Sequence, residues 1–172
     1  NTVVFVGDYI DRGPQIPETL KIVKAMVDNG DAIALMGNHE YNAICYHTYN
    51  HSGEPLRKHS PKNDVQHKET LDQFVGRNDL QDYIDWFKTL PLFFEHDDFR
   101  AVHACWNSDD IEFLKASLGG NKLRQEHLIE AHSGNTRLFN ALEVTLKGKE
   151  LKLPEGYTFL DKDKHVRDSI RI

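Results

Sequence analysis

The chain has 172 residues, enough for one domain with a real core, and its composition is that of a globular protein: 39% hydrophobic, 10% aromatic and 28% charged residues. With 21 Lys and Arg against 27 Asp and Glu, the formal net charge of −6 excludes a basic nucleic-acid footprint. No run of about 18 apolar residues is present, which excludes a membrane-spanning helix. Two cysteines are too few for a disulfide scaffold and point to a reducing, cytoplasmic setting. The ten histidines are the residues that composition leaves unexplained.

Residues 2–6 (TVVFV) are a short β-branched and aromatic run bounded by Gly7, which predicts a strand buried on both faces. Pro17 then opens a helix that Gly30 ends, with Leu20, Val23 and Val27 as its inner stripe. A second strand is expected over residues 32–36. Strand, helix, strand reads as a βαβ unit, whose loops after the strands are where an open α/β sheet binds ligands. Residues 50–68 are polar, carry two prolines and several histidines, and read as a loop excursion. A helix over residues 78–90 follows, with an apolar stripe of Leu80, Tyr83, Ile84, Phe87 and Leu90. Residues 92–95 and 100–103 form an expected hairpin through His96-Asp97-Asp98, feeding a second sheet. Residues 107–147 are mainly helical, with breaks at Gly119-Gly120 and Ser133-Gly134, and the remainder suggests short strands. The whole of 1–172 reads as a single domain. It opens inside one expected strand and stops in strand-like residues without a polar tail, which predicts an interior piece of a longer protein.

Three short segments each follow an expected strand: GDYIDRG from Gly7, GNHE from Gly37, and Val102-His103-Ala104. Asp8 is a hard carboxylate able to bridge two cations, Asn38 offers a neutral carbonyl oxygen, and His103 an imidazole nitrogen. That mixed set suits Mn²⁺, Fe or Zn²⁺ better than Ca²⁺. Arg12 carries a planar fork matched to two phosphate oxygens. Gly7, Gly13 and Gly37 would let the backbone approach closely. Taken singly, each residue has a plainer role: a turn for Asp8, a helix N-cap for Asn38, a core histidine for His103, a surface ion pair for Arg12 worth under about 1 kcal/mol. Their joint order after three strands points to a site.

At these residues the sequence resembles the calcineurin-like metallophosphoesterases, and within them the phosphoprotein phosphatase branch of bacterial and phage type. That branch orders its motifs as D-x-H, GDxxDRG, GNHE, His, His, and the middle three stand within residues 7–104. Met36 replaces the Arg that eukaryotic phosphatases place before GNHE, and Ala104-Cys105 replaces their Gly-Gly. The symmetrical dinucleoside tetraphosphatases resemble this pattern too but tend to have Ala where Asp11 stands, so Asp11 favours the phosphatase branch.

The resemblance implies a four-layer α/β/β/α sandwich, incomplete at both ends, because the D-x-H ligands would lie before Asn1 and the last histidine beyond Ile172. It implies two divalent metals, Mn most readily, with Asp8 bridging them and Asn38 and His103 ligating the second. It further implies that a metal-bridging hydroxide attacks phosphorus in line, that His39 is the general acid oriented by Asp11, and that Arg12 and Asn38 hold the phosphate. The expected activity is that of a metal-dependent phosphomonoesterase acting on phosphoserine or phosphothreonine proteins. The alternatives are a dinucleoside polyphosphate hydrolase or a non-catalytic phospho-ligand module. With part of the ligand set, the isolated chain is expected to be catalytically poor. Glu40 is expected only to favour the positive end of its helix. His47 and His51, four apart, are expected on one helical face, and His165 after Asp163 has the wrong spacing for a ligand.

Overall fold

The computed structural model describes residues 2–161, 164 and 166–171. Strand β1 (Val3–Phe5) runs parallel to β2 (Ala32–Ala34) with Val3 opposite Ala32, and helix α1 (Ile16–Asp28) makes the crossover. This is the expected βαβ unit. Pro17 sits in the first turn of α1, Leu20 and Val23 are buried, Val27 packs against the core, and Gly30 follows the last turn with φ +78°. The strand is not buried on both faces: Val3 is 42% exposed and Val6 48%, because β2 is its one strand partner among the described residues.

Three residues separate helix α2 (Asn38–His47) from the end of β2. His51 lies beyond its end in an exposed turn, so His47 and His51 do not share a helical face. The expected 50–68 loop is shorter than composition suggested. It ends at Ser60, where helix α3 (Pro61–Gln73) begins, with the Ser60 hydroxyl accepting from the Asn63 N–H and Pro61 in the first turn. Apart from the buried His67, the polar residues that read as loop lie toward the wet face of this helix. Helix α4 (Leu80–Phe87) is shorter than the expected 78–90 and buries Ile84, Trp86 and Phe87.

Strands β3 (Phe93–Glu95) and β4 (Arg100–Val102) form the expected antiparallel hairpin, with Phe93 opposite Val102. Helices α5 (Ser108–Leu118), α6 (Gln125–Ala131) and α7 (Arg137–Lys147) fill the 107–147 region, with breaks where the glycines predicted them. Four short strands close the described chain: β5 (Glu150–Lys152), β6 (Phe159–Leu160), β7 (Val166–Arg167) and β8 (Ser169–Arg171). They pair β5 with β8 and β6 with β7. The class is mixed α/β, but the described sheets are four separate two-stranded pairs. Asp163 and His165 lie outside the described residues.

One core joins these elements, from Ile10, Ile16 and Leu20 through Ile44, Phe87 and Leu92 to Leu114, Leu128 and Leu142. Each such side chain contributes about 1.5–3 kcal/mol on burial. Trp106 packs edge-on against Phe93 at 5.9 Å, with the Arg100 guanidinium 5.2 Å over its ring. Cys45 is buried and Cys105 half-buried, and both are free thiols. Among the described residues no helix is long and apolar enough to cross a membrane.

Candidate active site

The loops following β1, β2 and β4 meet at one place, and a buried carboxylate fastens two of them. Glu40, fully buried, accepts from the backbone N–H of Asp8 (2.8 Å), Tyr9 (2.8 Å) and Gly37 (2.9 Å). Burial pushes its pKa up, and these three donors oppose that rise. Sequence reasoning gave Glu40 only a helix-end role; its main work is to tie the loop after β1 to the start of α2. The glycines follow from this closeness. A Cβ on Gly37 would stand 2.5 Å from the Asp8 nitrogen, and one on Gly7 2.5 Å from Gly37. Gly13 differs, because a Cβ there would meet nothing within 4 Å, and its φ of +86° is the reason for glycine. Asp8 and Asp11 also hold left-handed backbone, at φ 64° and 67°. Aspartate tolerates that region better than most residues, and such conformations concentrate at functional sites.

Asp8, Asn38 and His103 come together. The His103 Nε2 lies 3.0 Å from Asn38 Oδ1 and 3.4 Å from Asp8 Oδ1, and Asp8 Oδ1 also accepts the His39 N–H at 3.3 Å. At its other nitrogen, His103 Nδ1–H donates to the Val6 carbonyl at 2.5 Å. That bond places a proton on Nδ1, so a neutral ring would turn the Nε2 lone pair toward the two oxygen acceptors. Three acceptors facing one another repel unless a cation lies among them, and separations near 3 Å are those between neighbouring donors on one small divalent ion. The donor set therefore fits a divalent metal. Among the described residues no group of three or more His, Cys, Asp and Glu could hold one, so the trio depends on the Asn38 amide oxygen.

Beside the trio stands a second constellation. His39 Nδ1 is 2.8 Å from Asp11 Oδ2, with side chains 4% and 2% exposed. Asp11 Oδ1 receives His67 Nδ1 at 2.7 Å and the Thr70 hydroxyl at 2.6 Å, and the Asp11 N–H donates back to that hydroxyl at 2.9 Å. Burial alone would raise the Asp11 pKa, but the hydrogen bonds from His39 and His67 outweigh it and hold it at about 2. Burial lowers that of His39, and the Asp11 hydrogen bond with the charges of Asp8, Asp11 and Glu40 outweighs it, so the net direction is upward. His67 was grouped by sequence with a polar loop, and no hydrophobic periodicity could have placed it in a core. Arg12 is exposed and makes no hydrogen bond or ion pair among the described residues.

From Asn38 an open groove of about 820 Å³ runs between α2, α3 and the β5–β8 strands, lined by Arg57, Lys62, Lys147, Arg167 and Arg171 along with three carboxylates. Arg57 is held by Asn42 Oδ1 at 2.9 Å and Gln66 Oε1 at 2.7 Å.

Comparisons with known proteins fit this geometry. The chain is 29% identical over 127 residues to a symmetrical bis(5'-nucleosyl)-tetraphosphatase of Ralstonia nicotianae, covering 72% of this chain and 40% of that protein. Proteins of the same name from Vibrio cholerae (32% over 105 residues, 60% of this chain and 34% of that one) and Janthinobacterium (31% over 102 residues, 59% and 32%) are also similar. The chain thus spans less than half the length of these curated relatives. The profile of the calcineurin-like phosphoesterases matches residues 1–162, nearly the whole chain, and the chain belongs to that family.

Proposed function

We propose that this chain carries the central part of a divalent-metal-dependent phosphoester hydrolase whose substrate is a dinucleoside polyphosphate. The observation that carries the hydrolase reading is the placement of the Asp8–Asn38–His103 acceptor trio beside a proton donor, His39, anchored on Asp11. Asp8, Asn38 and His103 would hold the metal, Mn²⁺ first among candidates. When bound, divalent metal supplies Lewis-acid charge that activates water and offsets the charge developing on phosphorus.

The remaining work falls to side chains of this chain. His39 keeps its Nδ1–H on Asp11, which leaves Nε2 to deliver a proton to the leaving oxygen. Its raised pKa favours the protonated form that this requires. Arg12, exposed at the end of the same loop, would grip two phosphate oxygens with its fork. The substrate class is supported by the names of the relatives and by the cationic groove, which offers a polyanionic chain a path away from Asn38. The two free thiols support a reducing, cytoplasmic setting.

A phosphoserine or phosphothreonine protein is the second reading, favoured by one residue. Asp11, the residue that favours the phosphatase branch over the tetraphosphatases, is present and engaged with His39. Initial rates with Mn²⁺ on diadenosine tetraphosphate and on a phosphoserine peptide separate the two. Faster cleavage of the dinucleotide to ADP supports the first reading, and faster phosphate release from the peptide overturns it. Both rates are expected to be low for this chain alone.

A further inference from the structure

Asp11 is the centre of a run of side chains, buried except for the half-buried His47 at its end, that leaves α2 and returns to it. The run starts at His39 in the first turn of α2, crosses Asp11, passes to His67 on α3, and comes back to His47 at the last residue of α2. The closing contact, His67 Nε2 to His47 Nε2, is 3.2 Å. A carboxylate is acceptor-only, so both histidines that face Asp11 must present N–H, one to each oxygen. With His39 alone as partner, the carboxylate could swing about its Cβ–Cγ bond. His67 and Thr70 both hold Oδ1 from α3, which fixes the plane in which Oδ2 meets His39. Burial lowers the His47 pKa to about 4, so His47 is neutral near pH 7, and the 3.2 Å contact between the two Nε2 atoms needs one N–H shared between the rings.

We propose that His67 is a positioning residue for His39, acting through Asp11, and that His47 holds His67 in turn. The role rests on the reading of His39 as the proton donor. It differs from packing because it needs the Nδ1–H of His67 rather than its volume.

The test uses the chain labelled with ¹⁵N-histidine, without metal, and follows the imidazole N–H protons by NMR. Protons held in buried hydrogen bonds to carboxylate exchange slowly with water and resonate downfield of the amides. The wild type should show two such lines, from His39 and His67. His67→Phe, apolar and of similar bulk, should remove the His67 line and broaden the His39 line. His67→Asn sets an amide N–H close to where Nδ1 stood and should restore the His39 line. An unchanged His39 line in H67F, or no restoration in H67N, overturns the proposal. If H67F does not fold, folded H67N decides alone, since absence of its His39 line is incompatible with the proposed role.

A second arm measures turnover of diadenosine tetraphosphate with Mn²⁺. There H67F should lower kcat about tenfold with KM nearly unchanged, and H67N should recover most of it. A wild-type chain that cleaves no phosphoester would remove the proposed function, while the NMR arm would still decide the role of His67.

Discussion

Glu40→Gln tests how the site is assembled, because it changes charge and donor pattern while keeping shape. In the folded chain one carboxylate oxygen accepts from the Asp8 and Gly37 N–H groups and the other from Tyr9 N–H. A glutamine can keep the first pair on its carbonyl oxygen, but its amide then turns N–H groups toward the Tyr9 N–H. One charge-assisted hydrogen bond disappears, about 1.5–3 kcal/mol, and a buried donor is left without an acceptor, about 1–3 kcal/mol. After relaxation a loss of about 3 kcal/mol is expected. For a domain of this size the urea slope is about 2–3 kcal/mol per M, so the midpoint should fall by about 1 M or more. Circular dichroism through a urea titration measures it. A shift below about 0.3 M would show that Glu40 does not fasten these loops.

Three further outcomes are expected. Asp11, held at about 2 against an ordinary 3.8, has a depressed folded pKa, so its contribution is present above pH 4 and is lost as pH falls from about 4 toward 2. That contribution is about 2 kcal/mol, and the difference in urea midpoint between wild type and Asp11→Asn should shrink across that window. Gly37→Ala places a Cβ 2.5 Å from the Asp8 nitrogen and 2.6 Å from Asp8 Oδ1. It should cost about 1–3 kcal/mol and weaken Mn²⁺ binding by calorimetry, whereas wild-type affinity in G37A would contradict the close approach. His103→Ala removes the only imidazole of the acceptor trio and should lower Mn²⁺ affinity by at least about tenfold, read by titration of the free-Mn²⁺ EPR signal.

Much of the βαβ unit and of the candidate site could be read directly from the sequence. The residues 2–6 run, Pro17, the Leu20 and Val23 stripe and Gly30 are local signals: β-branching, a fixed φ, 3.6-residue periodicity and a tolerated positive φ. GDYIDRG, GNHE and Val102-His103-Ala104 are short segments readable without knowledge of the fold, so Asp8, Asp11, Arg12, Asn38, His39 and His103 were nameable. The same logic placed the β3–β4 hairpin and the helix breaks at the glycines.

What only the tertiary structure decided has a common physical cause, burial through hydrogen bonds rather than through apolar surface. His67 and Thr70, three apart on α3, face inward because Asp11 satisfies them, and a segment whose inner face is polar carries no hydrophobic period. Glu40 is fully buried for the same reason: three backbone N–H groups from two distant loops converge on it. These polar atoms become interior where partners from other elements arrive, and those arrivals are set by the packing of β1, α2 and α3 rather than by any local run of residues.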